Sequence, residues 1–172
     1  MGEIKASPPY LGPTNISAQV GSAPLNLDSI RDRVFKAWKA GKAPSPATET
    51  LGISISRLER GRSMMEMKVD EKMHNLSGTM HGGIMSDIAD AAMGIALATT
   101  LSPGEDFTTV ELKISFLRPH IKGLLRAQGS IAKRGKRIAF TEAVLTNSRT
   151  EIVAKSSGTC LLMKRGRVNR NV

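Results

Sequence analysis

The chain has 172 residues, enough for one well-buried core and too few for two ordinary domains. Its formal net charge is +10, and from Leu112 onward fourteen Lys and Arg residues accompany only two acids. An anionic ligand, a nucleic acid or a membrane surface could each account for such a basic half. Aromatic residues make up 3% of the chain, which argues against stacking on single-stranded nucleic acid.

Cysteine and histidine usage narrows the possible compartment and chemistry. Cys160 is the only cysteine, so an intrachain disulfide is impossible and a reducing compartment is expected. The N-terminus lacks a basic start followed by an apolar core, and no apolar run approaches the length of a membrane span. We therefore expect a cytoplasmic protein. No metal site is expected, because His74, His81 and His120 match no metal-ligand spacing.

The N-terminal part is predicted to precede the folded domain. Residues 1–26 are rich in Pro, Gly and Ser and should form a flexible arm. Residues 27–46 should hold a short amphipathic helix over 28–39 and then a linker, since apolar residues recur there on one helical stripe. Asn26 or Asp28 could cap this helix.

Residues 47–164 are predicted to form an α+β domain, followed by a basic tail at 165–172. Two strands come first, around Ile53 and over 63–69, and a helix follows over about 83–100. Four further runs alternate apolar and polar residues: Thr108–Leu117, Leu124–Lys133, Ile138–Thr146 and Ile152–Met163. This order favours one helix lying against a curved antiparallel sheet.

The start of the long helix carries the most informative motif. His81, Gly82 and Gly83 open an otherwise apolar, alanine-rich helix, and Asp90 lies two turns inside it. A charge on an apolar helix is costly to bury, so Asp90 needs either a partner, such as an arginine, or a chemical role. Free amides at a helix start can stabilise developing negative charge. A hydrolase of activated acyl groups requires these two parts.

Five features follow one another in a specific order and spacing. They are Asn75, the His81–Gly83 turn, Asp90, Arg118-Pro119 and the hairpin Lys133–Arg137. With them, roughly residues 51–163 resemble the hot-dog fold acyl-CoA thioesterases of the phenylacetic-acid-degradation (PaaI-like) branch. The resemblance implies a curved antiparallel sheet wrapped around one long central helix. It also implies hydrolysis of an acyl- or aryl-CoA thioester to free acid and CoA.

The resemblance assigns roles to individual residues. Asp90 would act as general base or nucleophile, and the amides of Gly82–Gly83 would form the oxyanion hole. Asn75 and His81 would orient the thioester or hold the turn, and the Thr109 hydroxyl would hold water. The acid would face the glycine turn of a second subunit, which implies a homodimer with shared active sites and usually a homotetramer.

The basic half would then bind the substrate rather than a separate cofactor. Coenzyme A is a polyanion, and the resemblance places its nucleotide portion beside the basic hairpin. The candidate CoA-binding residues are Arg118, Lys133, Arg134, Gly135, Lys136 and Arg137. Each of these charges could instead be an ordinary solvated side chain.

Other interpretations remain open. A non-catalytic acyl-CoA-binding regulatory protein is the main alternative, although no helix-turn-helix accompanies the single N-terminal helix. A charge-driven nucleic-acid binder and a hot-dog dehydratase or hydratase are further alternatives. Asp87 is expected to be a first-turn acid that complements the helix dipole, and Cys160 a buried apolar residue. The acyl group could be aryl, short-chain or medium-chain.

Overall fold

The computed structural model describes residues 29–164. The arm predicted for residues 1–26 and the basic tail predicted for 165–172 lie outside the described residues. None of the helices between residues 29 and 164 combines the length and apolarity needed to cross a membrane.

The first described element is helix α1, Ile30–Lys39. Its N-cap is Ser29, whose hydroxyl accepts a hydrogen bond of 3.1 Å from the Asp32 backbone N–H. The prediction that Asn26 or Asp28 caps this helix is therefore wrong. Ser29 is the serine directly before the apolar stripe, and a serine there satisfies an amide that would otherwise lack a partner.

A second, unpredicted helix follows the linker. Helix α2 spans Pro46–Thr50, one turn long. Ser45 and Thr48 form a capping box, in which each side chain bonds the backbone of the other residue. Proline at the first helical position is already in a helical conformation, so a five-residue helix is stabilised here without an apolar repeat.

In the described part of the chain, six strands form one antiparallel sheet: β1 Ser54–Glu59, β2 Arg62–Val69, β3 Glu105–Phe116, β4 Gly123–Arg134, β5 Ile138–Asn147 and β6 Ile152–Lys164. Their order across the sheet is β1-β2-β4-β5-β6-β3, so β1 and β3 are its edges. The predicted strands are confirmed, with ends shifted by a few residues. The first begins just after Ile53 rather than around it.

The long helix α3 spans Gly82–Ala98 and packs against the sheet, mainly on β4, β2 and β5. Its buried side chains lie on most of its circumference and include Met85, Ile88, Met93 and Leu97. A helix that is apolar nearly all round requires such a covered position. The α+β prediction, one helix enclosed by a curved antiparallel sheet, is confirmed.

The crossing point of helix and sheet lies at Gly129 of β4. A Cβ atom at this position would overlap the carbonyl oxygen of Ala92 on α3. Ser63 of β2 donates a hydrogen bond of 2.7 Å to the same oxygen. A glycine and a small hydroxyl side chain therefore let α3 approach the sheet closely, only two residues from Asp90.

Candidate active site

Asp90 lies on α3 with its carboxylate directed at the edge strand β3. The Thr109 hydroxyl donates a hydrogen bond of 3.0 Å to its Oδ1 atom. Burial raises the pKa of Asp90 above its ordinary value of 3.8, the Thr109 hydrogen bond opposes this rise, and the negative charge of Asp87 adds to it. No Arg or Lys of residues 29–164 forms an ion pair with Asp90. Within residues 29–164, Asp90 is therefore not a structural carboxylate paired with an arginine.

Asp87 does not complement the helix dipole as predicted. The helix begins at Gly82, so Asp87 lies beyond the first turn, which contains no acid. Its side chain is exposed, and its negative charge raises the pKa of Asp90. The favourable interaction of an acid with a helix N-terminus falls off within the first turn, so Asp87 is too far along the helix for it.

Thr109 also contacts the neighbouring strand, where Cys160 lies opposite it in the β3–β6 ladder. Cys160 is buried, as predicted. Burial raises the pKa of its thiol, hydrogen bonds with Thr109 and Thr141 oppose the rise, and the nearby charge of Asp90 adds to it. The single proton of the Thr109 hydroxyl is directed at Asp90, so this hydroxyl first of all positions the carboxylate.

A cavity of about 280 Å³ opens beside this carboxylate, between α1, α3 and β3. Asp90 and Thr109 form part of its wall, and Val34 of α1 contributes another part. The acid is thus half-buried in the wall of an open cleft rather than fully exposed to solvent.

The turn before α3 contains a separate set of hydrogen-bond donors, the backbone N–H groups of Gly82 and Gly83. His81 is the N-cap, and its Nδ1 atom accepts a hydrogen bond of 3.0 Å from the Gly83 N–H. The Gly82 N–H makes no hydrogen bond with residues 29–164. It lies at the positive end of the helix dipole, where an anion is stabilised. His81 therefore has a visible structural role, and Gly82 carries the available amide.

Asn75 shapes the loop that leads to this turn. Its Oδ1 atom accepts hydrogen bonds from the backbone N–H groups of Ser77 at 2.9 Å and Thr79 at 3.3 Å. A groove of about 430 Å³ lies beside Asn75, and Gly82 forms part of its wall. Asn75 thus holds the 75–79 loop, and its bonds do not reach the His81–Gly83 turn that it was expected to hold.

Phe116 at the end of β3 was missed by sequence reasoning. Its ring covers Gly82 so closely that a Cβ atom there would lie 2.8 Å from Cζ of Phe116. The sequence signal was weak, because the alternation of β3 groups Phe116 with apolar residues such as Ile114 without indicating a contact with the turn. A side chain at position 82 would have to displace the half-exposed ring of Phe116, so glycine lets this ring lie directly against the turn.

Asp90 and Gly82 of one chain cannot act on the same carbonyl group. They are eight residues apart on one helix, which corresponds to about 12 Å along its axis. They also line different cavities, the first beside α1 and the second beside Phe116.

Comparison with known proteins identifies the family to which the chain belongs. A family model described as the Thioesterase superfamily matches residues 77–154. Acyl-coenzyme A thioesterase 13 of Homo sapiens is 33% identical over 99 residues, which cover 57% of this chain and 70% of that protein. This chain belongs to the thioesterase superfamily. The prediction of a thioester hydrolase is confirmed.

Further relatives of this thioesterase support the same family and fold. The 1,4-dihydroxy-2-naphthoyl-CoA hydrolase of Listeria monocytogenes is 28% identical over 117 residues, covering 68% of this chain and 95% of that protein. The E. coli PaaI protein from the phenylacetic acid degradation operon matches with a TM-score of 0.68 at 24% identity, covering 78% of this chain and 96% of that one. A phenylacetic acid degradation-related protein of Ralstonia eutropha is 28% identical with a TM-score of 0.67, covering 74% and 98%. The hot-dog fold and the PaaI-like resemblance are thereby confirmed.

The basic residues of the thioesterase fall into two separate places. Arg118 lines the Gly82 groove and lies 3.7 Å from Glu151 in an exposed ion pair. The hairpin Lys133–Arg137 lies at the other end of the sheet, where Arg134 pairs with Glu105 at 2.6 Å. One chain therefore brings Arg118, but not the hairpin, to the glycine turn. In the described part of the chain, no three His, Cys, Asp or Glu side chains are grouped so as to hold a metal ion.

Proposed function

We propose that this thioesterase hydrolyses acyl-CoA thioesters at a site shared by two copies of the chain. Asp90 of one copy is the general base, and the Gly82 amide of the other holds the oxyanion. The observation that carries this proposal is the pairing of a half-buried Asp90, fixed by Thr109 at a cavity wall, with a free Gly82 amide about 12 Å away along the same helix. The acyl-CoA substrate is supported by the names of the relatives.

The edge strand β3 supports the shared site. It is 12 residues long, and within residues 29–164 it has a neighbouring strand on one side only. Val110, Phe116 and Leu117 around it are more than half exposed. Long apolar edges invite pairing with a second strand. A two-fold axis between Leu112 and Lys113 would place Thr109 opposite the partner's Phe116.

This symmetric pairing would bring the two halves of the site together. Thr109 bonds Asp90, and Phe116 covers Gly82, so pairing Thr109 with the partner's Phe116 brings Asp90 towards the partner's Gly82. Each dimer would then contain two complete sites, one on either side of the axis. A homotetramer would be built from two such dimers.

The same arrangement would assemble the CoA-binding charges. The hairpin Lys133–Arg137 lies near Glu105 at the start of β3, whereas Arg118 follows the end of β3. Antiparallel pairing of two β3 strands places the start of one beside the end of the other. The hairpin of one chain and Arg118 of its partner would thus both flank one thioester site and could bind the CoA phosphates.

Hydrolysis of the thioester at this shared site requires only a few protein groups. Asp90 accepts a proton from water, and the resulting hydroxide adds to the thioester carbonyl carbon. The Gly82 N–H stabilises the negative charge on the carbonyl oxygen. The C–S bond breaks when the tetrahedral intermediate collapses, CoA leaves as a thiolate and takes up a proton, and the acid is released. The Thr109 hydroxyl keeps one carboxylate oxygen in place and leaves the other for water.

The deciding experiment measures free thiol release from a panel of acyl- and aryl-CoA thioesters. Asp90→Asn is expected to lower kcat at least about a hundredfold, as for loss of a general base. The matched control is Asp87→Asn, an exposed acid one turn earlier on the same helix, which should retain activity. Equal losses in the two variants, or turnover by neither variant nor wild type, would contradict the proposal.

A second measurement tests for a nucleophilic Asp90 whose anhydride is opened at the Asp90 carbonyl carbon. A single turnover in ¹⁸O-labelled water should place the label in the released acid and leave the Asp90 carboxylate unlabelled. Label recovered in an Asp90 peptide would assign a covalent anhydride intermediate instead.

A further inference from the structure

Cys160, the only cysteine of the chain, lies beside the candidate active site and has no part in the proposed mechanism. It is 1% exposed and lies directly opposite Thr109 in the β3–β6 ladder. Residues directly opposite each other in an antiparallel pair direct their side chains to the same face, with Cβ atoms about 4.5–5.5 Å apart. The Cys160 thiol is therefore within reach of the Thr109 hydroxyl, which itself bonds Asp90.

The bond between Thr109 and Asp90 fixes the direction of the protons in this contact. A threonine hydroxyl has one proton and two acceptor lone pairs. The Thr109 proton is donated to Oδ1 of Asp90 at 3.0 Å, so its oxygen can bond a second neighbour only as an acceptor. Burial raises the pKa of the Cys160 thiol, which therefore keeps its proton at neutral pH and can donate it.

We propose that Cys160 is a positioning residue, whose thiol donates a hydrogen bond to the Thr109 hydroxyl oxygen and so keeps the hydroxyl proton directed at Asp90. The inference rests on the function proposed above, in which Asp90 is the general base. The two bonds form a chain, and a bond accepted by the Thr109 oxygen strengthens the bond that this hydroxyl donates. In this arrangement Cys160 acts only through Thr109.

The backbone around Thr109 explains why its side chain depends on such a neighbour. Within residues 29–164, β3 is an edge of the sheet, and its pairing with β6 shifts between Thr109 and Glu111, which leaves Val110 as a bulge. Bulges bend a strand and change the direction of the side chains beside them. Regular backbone pairing therefore holds Thr109 from one side only, and the side chain opposite it has a larger share in fixing its hydroxyl.

Thr141 of β5 is a second hydroxyl beside the thiol. It pairs with Gly158, whereas the residue opposite Cys160 on β5 is Ala139. Thr141 is thus a diagonal neighbour of Cys160, and diagonal neighbours in a sheet lie farther apart than directly opposite ones. Its own proton is donated to the Gly158 carbonyl oxygen at 3.3 Å. The closer acceptor for the thiol proton is therefore Thr109.

The acidity of Asp90 should report the loss of the thiol. Burial raises the pKa of Asp90, the Thr109 bond opposes this rise, and the charge of Asp87 on the same helix adds to it. Arg33 of α1 lines the same cavity, but within residues 29–164 it forms no ion pair with Asp90. Without a donor at position 160 the Thr109 hydroxyl can rotate away, so the pKa of Asp90 should rise further.

The test follows the ionisation of Asp90 in the full-length protein with Cys160→Ala and Cys160→Ser. One readout is the acidic limb of the kcat–pH profile, and the other is a ¹³C NMR titration of the Asp90 carboxyl carbon, which needs no turnover. Cys160→Ala should move both to higher pH by about half a unit, the lower end of what one hydrogen bond is worth. Cys160→Ser keeps a donor and should titrate like wild type.

Two further variants separate positioning from a general disturbance of the core. Val69→Ala removes buried volume from β2, which is separated from β6 by β4 and β5, and should lower stability without moving the titration of Asp90. The double variant Thr109→Val/Cys160→Ala should titrate like Thr109→Val alone, because no hydroxyl remains for the thiol to orient. If Cys160→Ala does not fold, Cys160→Val removes the donor while filling the space.

The possible failures are distinguishable. An unmoved titration in the variant without a donor, an equal shift in Cys160→Ser, or a further shift in the double variant would overturn the positioning role. Absence of turnover with every thioester would contradict the proposed function instead, and the NMR titration would still decide whether Cys160 acts on Asp90 through Thr109.

Discussion

The Thr109 hydroxyl donates a hydrogen bond of 3.0 Å to Asp90 and so joins the edge strand β3 to the central helix α3. The bond fixes one oxygen of the only acid that lines the cavity beneath α1 among the described residues. It also stabilises the charged form of Asp90 against the effect of burial. A side chain on an edge strand therefore positions the carboxylate and opposes the rise in its pKa that burial causes.

Replacing Thr109 by valine should impair catalysis without unfolding the protein. The loss of the hydrogen bond raises the pKa of Asp90 further and releases its carboxylate, so kcat should fall about tenfold or more. The acidic limb of the kcat–pH profile should move to higher pH. Thr109→Ser keeps the hydroxyl and serves as the control. A profile that does not move in Thr109→Val would show that this bond has no part in ionising Asp90.

Asp90 should make activity and stability respond oppositely to pH. The general base must be ionised, so activity should be lost as the pH falls through a pKa above 3.8. Because the folded state binds this proton more tightly than the unfolded state, Asp90 stabilises the fold less as the pH rises through that pKa. Asp90→Asn should therefore raise Tm at neutral pH relative to wild type. An unchanged or lower Tm would contradict the inference that the buried, charged Asp90 destabilises the fold at neutral pH.

His81 should contribute to stability as the cap of α3. Its Nδ1 atom accepts the Gly83 N–H, and loss of an N-cap costs about 1 kcal/mol. His81→Ala should lower the free energy of unfolding by about this amount in urea titrations. His81→Asn, which can accept the same hydrogen bond, should recover most of the loss. Equal stabilities of these two variants would show that the cap does not matter.

His120 should make the protein less stable in mild acid. It is 5% exposed, its Nε2 atom has no hydrogen-bond partner within the described residues, and burial lowers its pKa below the ordinary 6.5. Below pH 6.5 the unfolded state binds the proton first, so stability is full above this pH and decreases as the pH falls towards the lowered pKa. His120→Leu should flatten this decline between pH 7.5 and 5.5 in urea titrations. The decline should persist in His74→Leu, the control at a partly exposed histidine.

Gly129 and Gly94 should respond oppositely to alanine. A methyl group at Gly129 overlaps the Ala92 carbonyl oxygen, so Gly129→Ala should cost about 3 kcal/mol or more. At Gly94 the nearest atom is a ring carbon at 3.4 Å, and Gly94→Ala should stabilise the helix by up to about 1 kcal/mol. Denaturant unfolding of both variants measures this difference. Similar effects of the two substitutions would mean that α3 does not rest on the sheet at Gly129.

The features that depend on short residue spacings could be predicted from the sequence. The His81–Gly83 turn and Asp90 belong to one helix, so their separation could be derived from residue numbers alone. The alternation of apolar residues likewise predicted the strands. The engagement of the Gly83 amide by His81 could not be predicted, because it depends on a side-chain rotamer rather than on a pattern.

Contacts between distant segments were beyond sequence reasoning. The cover of Phe116 on Gly82 and the approach of α1 to Asp90 both join segments that are far apart in the chain. The short helix α2 was missed for a different reason, since its stability comes from a capping box and not from an apolar repeat. Residue periodicity carries no information on either kind of interaction.

The contact of Ala92 with Gly129 and Ser63 has a consequence for how this thioesterase can evolve. This contact holds α3 against the sheet two residues from Asp90, so substitutions that shift α3 would displace Asp90 as well. Helix α1 is free of this constraint, because it touches the cavity without carrying a catalytic group. Directed evolution of this thioesterase should therefore accumulate changes in α1 while the position of Asp90 on α3 is inherited unchanged.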